Sequence, residues 1–165
     1  MRRKLAIGLA VFLIIFITWM LIPRNNMGGQ MVFKGRMLVN DAGVPIGGFE
    51  WVGEYSVELI FDGSIGYMDV ELESGLGDPL TKHRYVVKSV EIRDDLLIVE
   101  LDSGELVLKY VEVDEIWGRY NSSYTAIWSP LDSKYNMGSI SPGIFQGFVD
   151  HYYIELHLWR GKGSQ

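Results

Sequence analysis

The sequence predicts an all-β domain, an antiparallel β-sandwich or alternatively a small meander barrel, preceded by one N-terminal transmembrane helix. Three observations predict it. Apolar and polar residues alternate with a period of two over much of the chain from Met31 onward. The alternating runs are short and separated by Gly, Asp, Ser and Pro, as strands joined by hairpin turns are. No stretch after residue 30 combines a helical apolar period with capping residues. Seven or eight strands at this spacing fit a sandwich or a barrel, and consecutive hairpins lean towards a meander.

The chain opens MRRKLAIGLAVFLIIFITWMLIP, with an uncharged apolar run that begins at Leu5 and closes at Ile22. As a helix this run spans about 27 Å at ~1.5 Å per residue, close to the ~30 Å hydrocarbon core of a bilayer. A secretory signal has a shorter apolar region and ends in small residues, whereas Thr18, Trp19, Met20, Leu21 and Ile22 are mostly bulky. Arg2, Arg3 and Lys4 place the N-terminus in the cytoplasm, and Trp19 suits the far interface. The expectation is an uncleaved signal anchor in the cell membrane, with the lipid bilayer as partner from Leu5 to Ile22. A cleaved signal peptide is the alternative. Residues 1–23 then form a basic tip and anchor, 24–30 a flexible linker, 31–160 an extracytoplasmic β domain and 161–165 a tail. A coil the length of PRNNMGGQ reaches on the order of 15 Å, which keeps the domain close to the bilayer.

In EWVGEYSVELIF, Trp51, Gly53, Tyr55, Val57, Leu59 and Phe61 share one face and Glu50, Glu54 and Glu58 the other. That is a half-buried strand. Asp62-Gly63 predicts a tight hairpin with both turn positions at positive φ. The return strand IGYMDVEL turns Met68, Val70 and Leu72 inward and Tyr67, Asp69 and Glu71 outward. SGLGDPL is a loop, residues 84–92 a strand, and LLIVEL and ELVLKYVEV a further hairpin about Asp102-Ser103-Gly104, with Gly104 left-handed. LLIVEL and LVLKYV are apolar on both faces in places, which predicts central positions in a sheet. The last strand is expected from Phe145 to Trp159, with Tyr152, Ile154, Leu156 and Leu158 inward and Val149, Tyr153 and Trp159 outward. As an edge strand it would offer a surface to another subunit or extend a neighbour's sheet.

Composition narrows function. The net charge is −6, all 21 acidic residues follow position 40, and four of the 15 basic residues flank the apolar run. Residues 25–165 therefore carry 11 basic against 21 acidic residues, a net charge of −10. Such a domain repels nucleic acid. Cysteine is absent, which removes disulfides, thiolate metal sites and thiol nucleophiles.

No residue pattern spells out a reaction. The chain has no G-x-S-x-G elbow, and GSISPG at 138–143 has the wrong spacing. His151 and His157 stand about 20 Å apart along one strand face, too far for one ion. His157 and Glu155, two residues apart, could supply two ligands, with His83 from a neighbouring strand as a third, but surface or edge polar residues are the simpler reading. Turn residues Asp94, Asp95, Asp102, Asp114, Glu115 and Asp132 lack EF-hand spacing. Glu50, Glu54 and Glu58 read as a solvated row rather than a glycosidase pair. The expectation is no catalytic residue, no metal and no cofactor. Binding candidates are the aromatic residues of IWGRYNSSYTAIWSP, namely Trp117, Tyr120, Tyr124 and Trp128, with Tyr153 and Trp159 on the last strand. Asn121 opens a glycosylation sequon.

The sequence thus points to a membrane-anchored, non-enzymatic interaction or accessory module outside the cytoplasm, with a protein partner in or near the same membrane. The alternatives are a small-ligand or carbohydrate-binding domain using residues 117–128, and an enzyme using acidic residues or a metal.

Overall fold

The computed structural model describes residues 29–42, 50–75, 80–112 and 122–161. The expected anchor, most of the linker, Trp117, Tyr120, Asn121 and nearly all of the tail lie outside the described residues. Among the described residues no helix is long and apolar enough to cross a membrane.

Nine strands are described: β1 (Met31–Asp41), β2 (Glu50–Phe61), β3 (Gly66–Gly75), β4 (Lys82–Arg93), β5 (Leu96–Leu101), β6 (Gly104–Val111), β7 (Ser123–Trp128), β8 (Ser139–Ile140) and β9 (Tyr152–Arg160). From β1 to β7 each strand pairs antiparallel with the next. β9 then pairs with β7 on one side and β1 on the other. The result is an eight-stranded closed antiparallel barrel, with β8 an addition to the wall. The sandwich expectation is corrected here: the sheet curls until its first and last strands meet. The edge-strand expectation falls with it, because β9 is hydrogen-bonded along both sides. Following the registers once round the wall returns to β1 about ten residues along, the stagger that tilted strands need for closure.

Alternation decides what fills the barrel. Phe33, Met37 and Val39, then Tyr55, Val57, Leu59 and Phe61, then Met68 and Val70 point inward and are fully or nearly fully buried. Leu97, Val99, Leu101, Leu106, Leu108, Ile154, Leu156 and Leu158 complete the core. Gly35 takes an inward position on β1 because a Cβ there would run into the His157 carbonyl and the Leu158 side chain.

The Asp62-Gly63 hairpin differs from expectation. Only Gly63 has positive φ, and the loop runs four residues from Asp62 to Ile65. The Asp62 carboxylate takes the Ser64 and Ile65 backbone N–H groups at 2.9 and 3.0 Å. This cap replaces the second left-handed residue of a two-residue turn.

The wall splits where β6 meets β7. These strands pair only through Lys109, Tyr110 and Val111. Earlier in β6, Leu106 and Val107 pair with β8 instead. Ile127 of β7 exchanges two 2.8 Å backbone bonds with Met137. Residues 137–140 therefore patch the gap. Gly138 is required there: its φ is +70°, and a Cβ would strike the Val107 carbonyl.

Residues 141–151 then cross one end of the barrel as a plug of consecutive turns. Ile144, Phe145, Phe148 and Val149 are buried beneath it. Turn bonds hold its shape, Ile144 N–H to Ser141 and Phe148 N–H to Phe145, each 2.9 Å. Phe145 meets Tyr85 edge-on at 5.9 Å, and Phe148 meets Tyr55 at 6.1 Å. The Trp128 indole donates to the Val149 carbonyl. The last strand thus starts at Tyr152, not Phe145, and Val149 packs into the core rather than facing outward.

Candidate functional site

With the interior filled, the chemistry-bearing side chains of the described residues lie on the outer wall and the two rims. The densest group sits where β7, β9 and β1 run side by side. Outward positions on β9 are Tyr153, Glu155, His157 and Trp159. Registry sets Thr125 and Arg36 on either side of His157, and Ile127 and Leu38 on either side of Glu155.

These side chains form one hydrogen-bonded network. His157 Nε2 lies 2.5 Å from Glu155 Oε1. On the other side of the ring, Nδ1 lies 3.1 Å from Ser123 Oγ and 3.0 Å from Thr125 Oγ1. The two hydroxyls are themselves 3.0 Å apart. Tyr153 donates its phenol to Glu155 Oε2 at 3.3 Å. The carboxylate fixes a proton on Nε2, so in the neutral ring Nδ1 accepts from one hydroxyl while the other hydroxyl donates to the first. Each polar atom in this sheltered cluster has a partner, as buried polar groups require.

The electrostatics follow from the contacts. The hydrogen bond from His157 holds the Glu155 carboxyl below its ordinary value, against the opposing effect of burial. Burial, reinforced by the neighbouring Glu155 charge, pushes the Tyr153 phenol far above its ordinary value. Tyr153 therefore stays a hydrogen-bond donor at physiological pH.

Hydroxyl, imidazole and carboxylate in line resemble the parts of a nucleophilic relay. Burial decides against that chemistry. Ser123 is 1% exposed and Thr125 3%, so neither oxygen meets a substrate in this arrangement. What the arrangement does is clamp β7 to β9 from outside, where β7 has lost half of its pairing with β6. A second polar stripe continues round the wall. Arg36 pairs with Glu54 at 2.6 Å and Lys34 with Glu58 at 3.3 Å. Arg84 grips Asp69 with two 2.6 Å bonds and lies 4.3 Å over the Tyr67 ring.

The aromatic candidates separate. Tyr124 and Trp128 are on inward positions of β7, half-buried against the core. Tyr124 meets Phe33 edge-on at 6.0 Å and Tyr110 at 5.4 Å. Tyr153 and Trp159 are on the outer face of β9. The structure therefore brings Tyr124 to one rim and Trp128 to the plugged end, and sets the β9 pair elsewhere. His83 is on β4, on the far side of the barrel from β9, and does not join His157 and Glu155. Among the described residues no group of three or more metal-ligating side chains converges.

Sequence reasoning paired His157 with Glu155 but missed Ser123 and Thr125. The alternation Ser123, Thr125, Ile127 was a visible signal of an outward face. That it borders β9 depends on a long-range register no local pattern reveals.

The rim opposite the plug gathers the start of β1, the β2–β3 and β4–β5 turns, and the ends of β6 and β9. Around it stand Met31, Ile65, Ile92, Tyr110 and Tyr124. No protein-family model, curated protein or solved structure matches this chain.

Proposed function

We propose that the chain is a membrane-tethered, non-enzymatic interaction module whose work is done by the outside of a rigid barrel. The single observation that carries this reading is the closed, side-chain-filled barrel with one end plugged. Among the described residues each of the eight barrel strands is paired on both sides and the interior is packed with buried side chains, which favours binding at the wall and rims. The apolar run from Leu5 to Ile22 supports a tether, and the short linker supports a partner in or close above the same membrane. The burial of Ser123 and Thr125 weighs against nucleophilic catalysis by the most triad-like group of the described residues.

The test is direct. A photo-crosslinking residue is placed at Trp159 or Tyr153 on the outer wall of β9, or at Trp51 near the plugged end. The intact protein is irradiated in its native membrane, extracted in mild detergent and its adducts identified. A single dominant protein adduct is expected from at least one wall position. Monomeric protein free of adducts at all three positions sinks the interaction reading.

A further inference from the structure

We propose that the rim opposite the plug, carrying Ile65, Ile92 and Tyr110, is a lipid-facing surface that rests on the headgroup layer of a zwitterionic bilayer. The inference rests on the anchored reading above and adds which pole meets the membrane.

Placement comes first. β1 starts at this rim, so the chain from the apolar run enters here through a linker of about 15 Å reach. The plugged end lies at the other pole. The domain therefore hangs from the bilayer rim-first.

Exposure comes second. Among the described residues six large apolar side chains are exposed, and three belong to this rim. Ile65 in the β2–β3 turn is 64% exposed, and Ile92 near the end of β4 and Tyr110 near the end of β6 are each 40% exposed. They come from three separate strand ends, yet the alternating strand directions and the barrel stagger bring them to one level. Ile92 and Tyr110 occupy inward positions, Ile92 in register with Leu97 and Tyr110 against Tyr124, which in turn meets Phe33, so the mouth of the barrel is apolar with tyrosines among its lining side chains. Tyrosine at that depth suits the headgroup region, where an apolar ring and a polar hydroxyl are both accommodated.

Charge selects the lipid. Asp62, Glu91, Asp94 and Asp95 share the rim with Arg93, Lys109 and Arg160. Arg93 is paired with Glu91 at 2.8 Å and Lys109 with Asp95 at 3.8 Å. Among the described residues the rim carries no surplus of positive charge, and the domain is strongly acidic. Anionic headgroups would be repelled, whereas zwitterionic ones are compatible with three shallow apolar contacts. The tether makes weak contacts sufficient, because the surface is presented at high effective concentration.

The experiment exploits the absence of native cysteine. Full-length Ile65→Cys and Leu131→Cys proteins are labelled with an environment-sensitive fluorophore and reconstituted into phosphatidylcholine vesicles. Leu131 is exposed at the plugged end and serves as the reference position. At position 65 a blue-shifted emission is expected, quenched by headgroup-spin-labelled phosphatidylcholine, with solvent-like, unquenched emission at position 131. Equal, solvent-like emission at both positions in vesicle-bound protein overturns the proposal while leaving the anchor intact. A blue shift at position 65 that the spin-labelled lipid does not quench means that protein covers the rim, which also overturns it. Release of the protein from the vesicles by alkaline carbonate removes the anchor itself, and the proposal with it.

Discussion

At the residue scale the Tyr153–Glu155–His157 cluster gives the protein an acid-sensitive seam. Glu155 has a lower pKa folded than unfolded, because His157 donates to it. The sign follows from linkage. The stabilisation is present in full above the ordinary glutamate value, near pH 4.5, and is lost as pH falls through the lower folded value. Wild-type protein should therefore lose stability below about pH 4.5 more steeply than Glu155→Gln. At neutral pH, Glu155→Gln should cost on the order of 1–3 kcal/mol, because it weakens one buried partner of His157 and another of Tyr153. Urea unfolding midpoints across pH 3–7 for both proteins check it, and parallel curves would show that Glu155 is not the group that matters. Tyr55 supplies the opposite case. Its hydroxyl is buried with no hydrogen-bond partner among the described residues. Tyr55→Phe should leave stability unchanged or raise it by up to about 1 kcal/mol, since burying an unpaired hydroxyl is unfavourable. A clear loss in the melting temperature would mean that the hydroxyl has a partner after all.

At the element scale the plug and the patch explain where pattern reading stopped working. The five strands from β2 to β6 were legible because period-two alternation needs only neighbouring residues, whereas β7 lies within the stretch read as an aromatic binding loop. Tyr55, Val57 and Leu59, and Met68 and Val70, face the core as their alternation indicates. Residues 145–150 misled because Phe145, Phe148 and Val149 are apolar enough to pass for a strand. Their spacing is instead that of successive turns: Phe145 has φ +53° and Gly147 φ +98°. Gly143 and Gly147 were the available warning. A left-handed phenylalanine persists only where its surroundings impose it. Here a fully buried ring does so, together with a backbone N–H held 3.3 Å from the Tyr85 hydroxyl. Phe148→Ala, which empties the space against Tyr55 and Tyr152, should cost about 3–5 kcal/mol. Gly35→Ala should cost at least about 2 kcal/mol, because the new methyl must displace the β9 backbone. Chemical denaturation measures both, and a near-neutral Gly35→Ala would mean that β1 and β9 are less tightly apposed than described.

At the scale of the whole molecule, closure is the property the sequence did not reveal. Whether eight alternating strands make two layers or one ring depends on whether the last strand finds the first. That contact joins residues as far apart as Phe33 and Arg160. The same distance in sequence hid the Ser123–His157 contact, so fold and site became unreadable at the same step. It also predicts how the protein folds. A chain ending before Tyr152 lacks the strand that joins β7 to β1 and opens the core along its length. Such a truncation should show no cooperative unfolding transition by circular dichroism. A sharp transition would mean that β1 to β7 form a stable sheet unaided.

The pairing of β1 with β9 has a mechanical consequence. Both the segment entering β1 and the segment leaving β9 depart from the same rim, and the Gly161 N–H bond to Val32 is the outermost bond between them. Force applied between the two ends would load the antiparallel bonds one at a time, like a zip, instead of in parallel as in shear. In a single-molecule pulling experiment the barrel should rupture at low force along this seam. Moving the handles to opposite ends of β1 should make the same wall far harder to break.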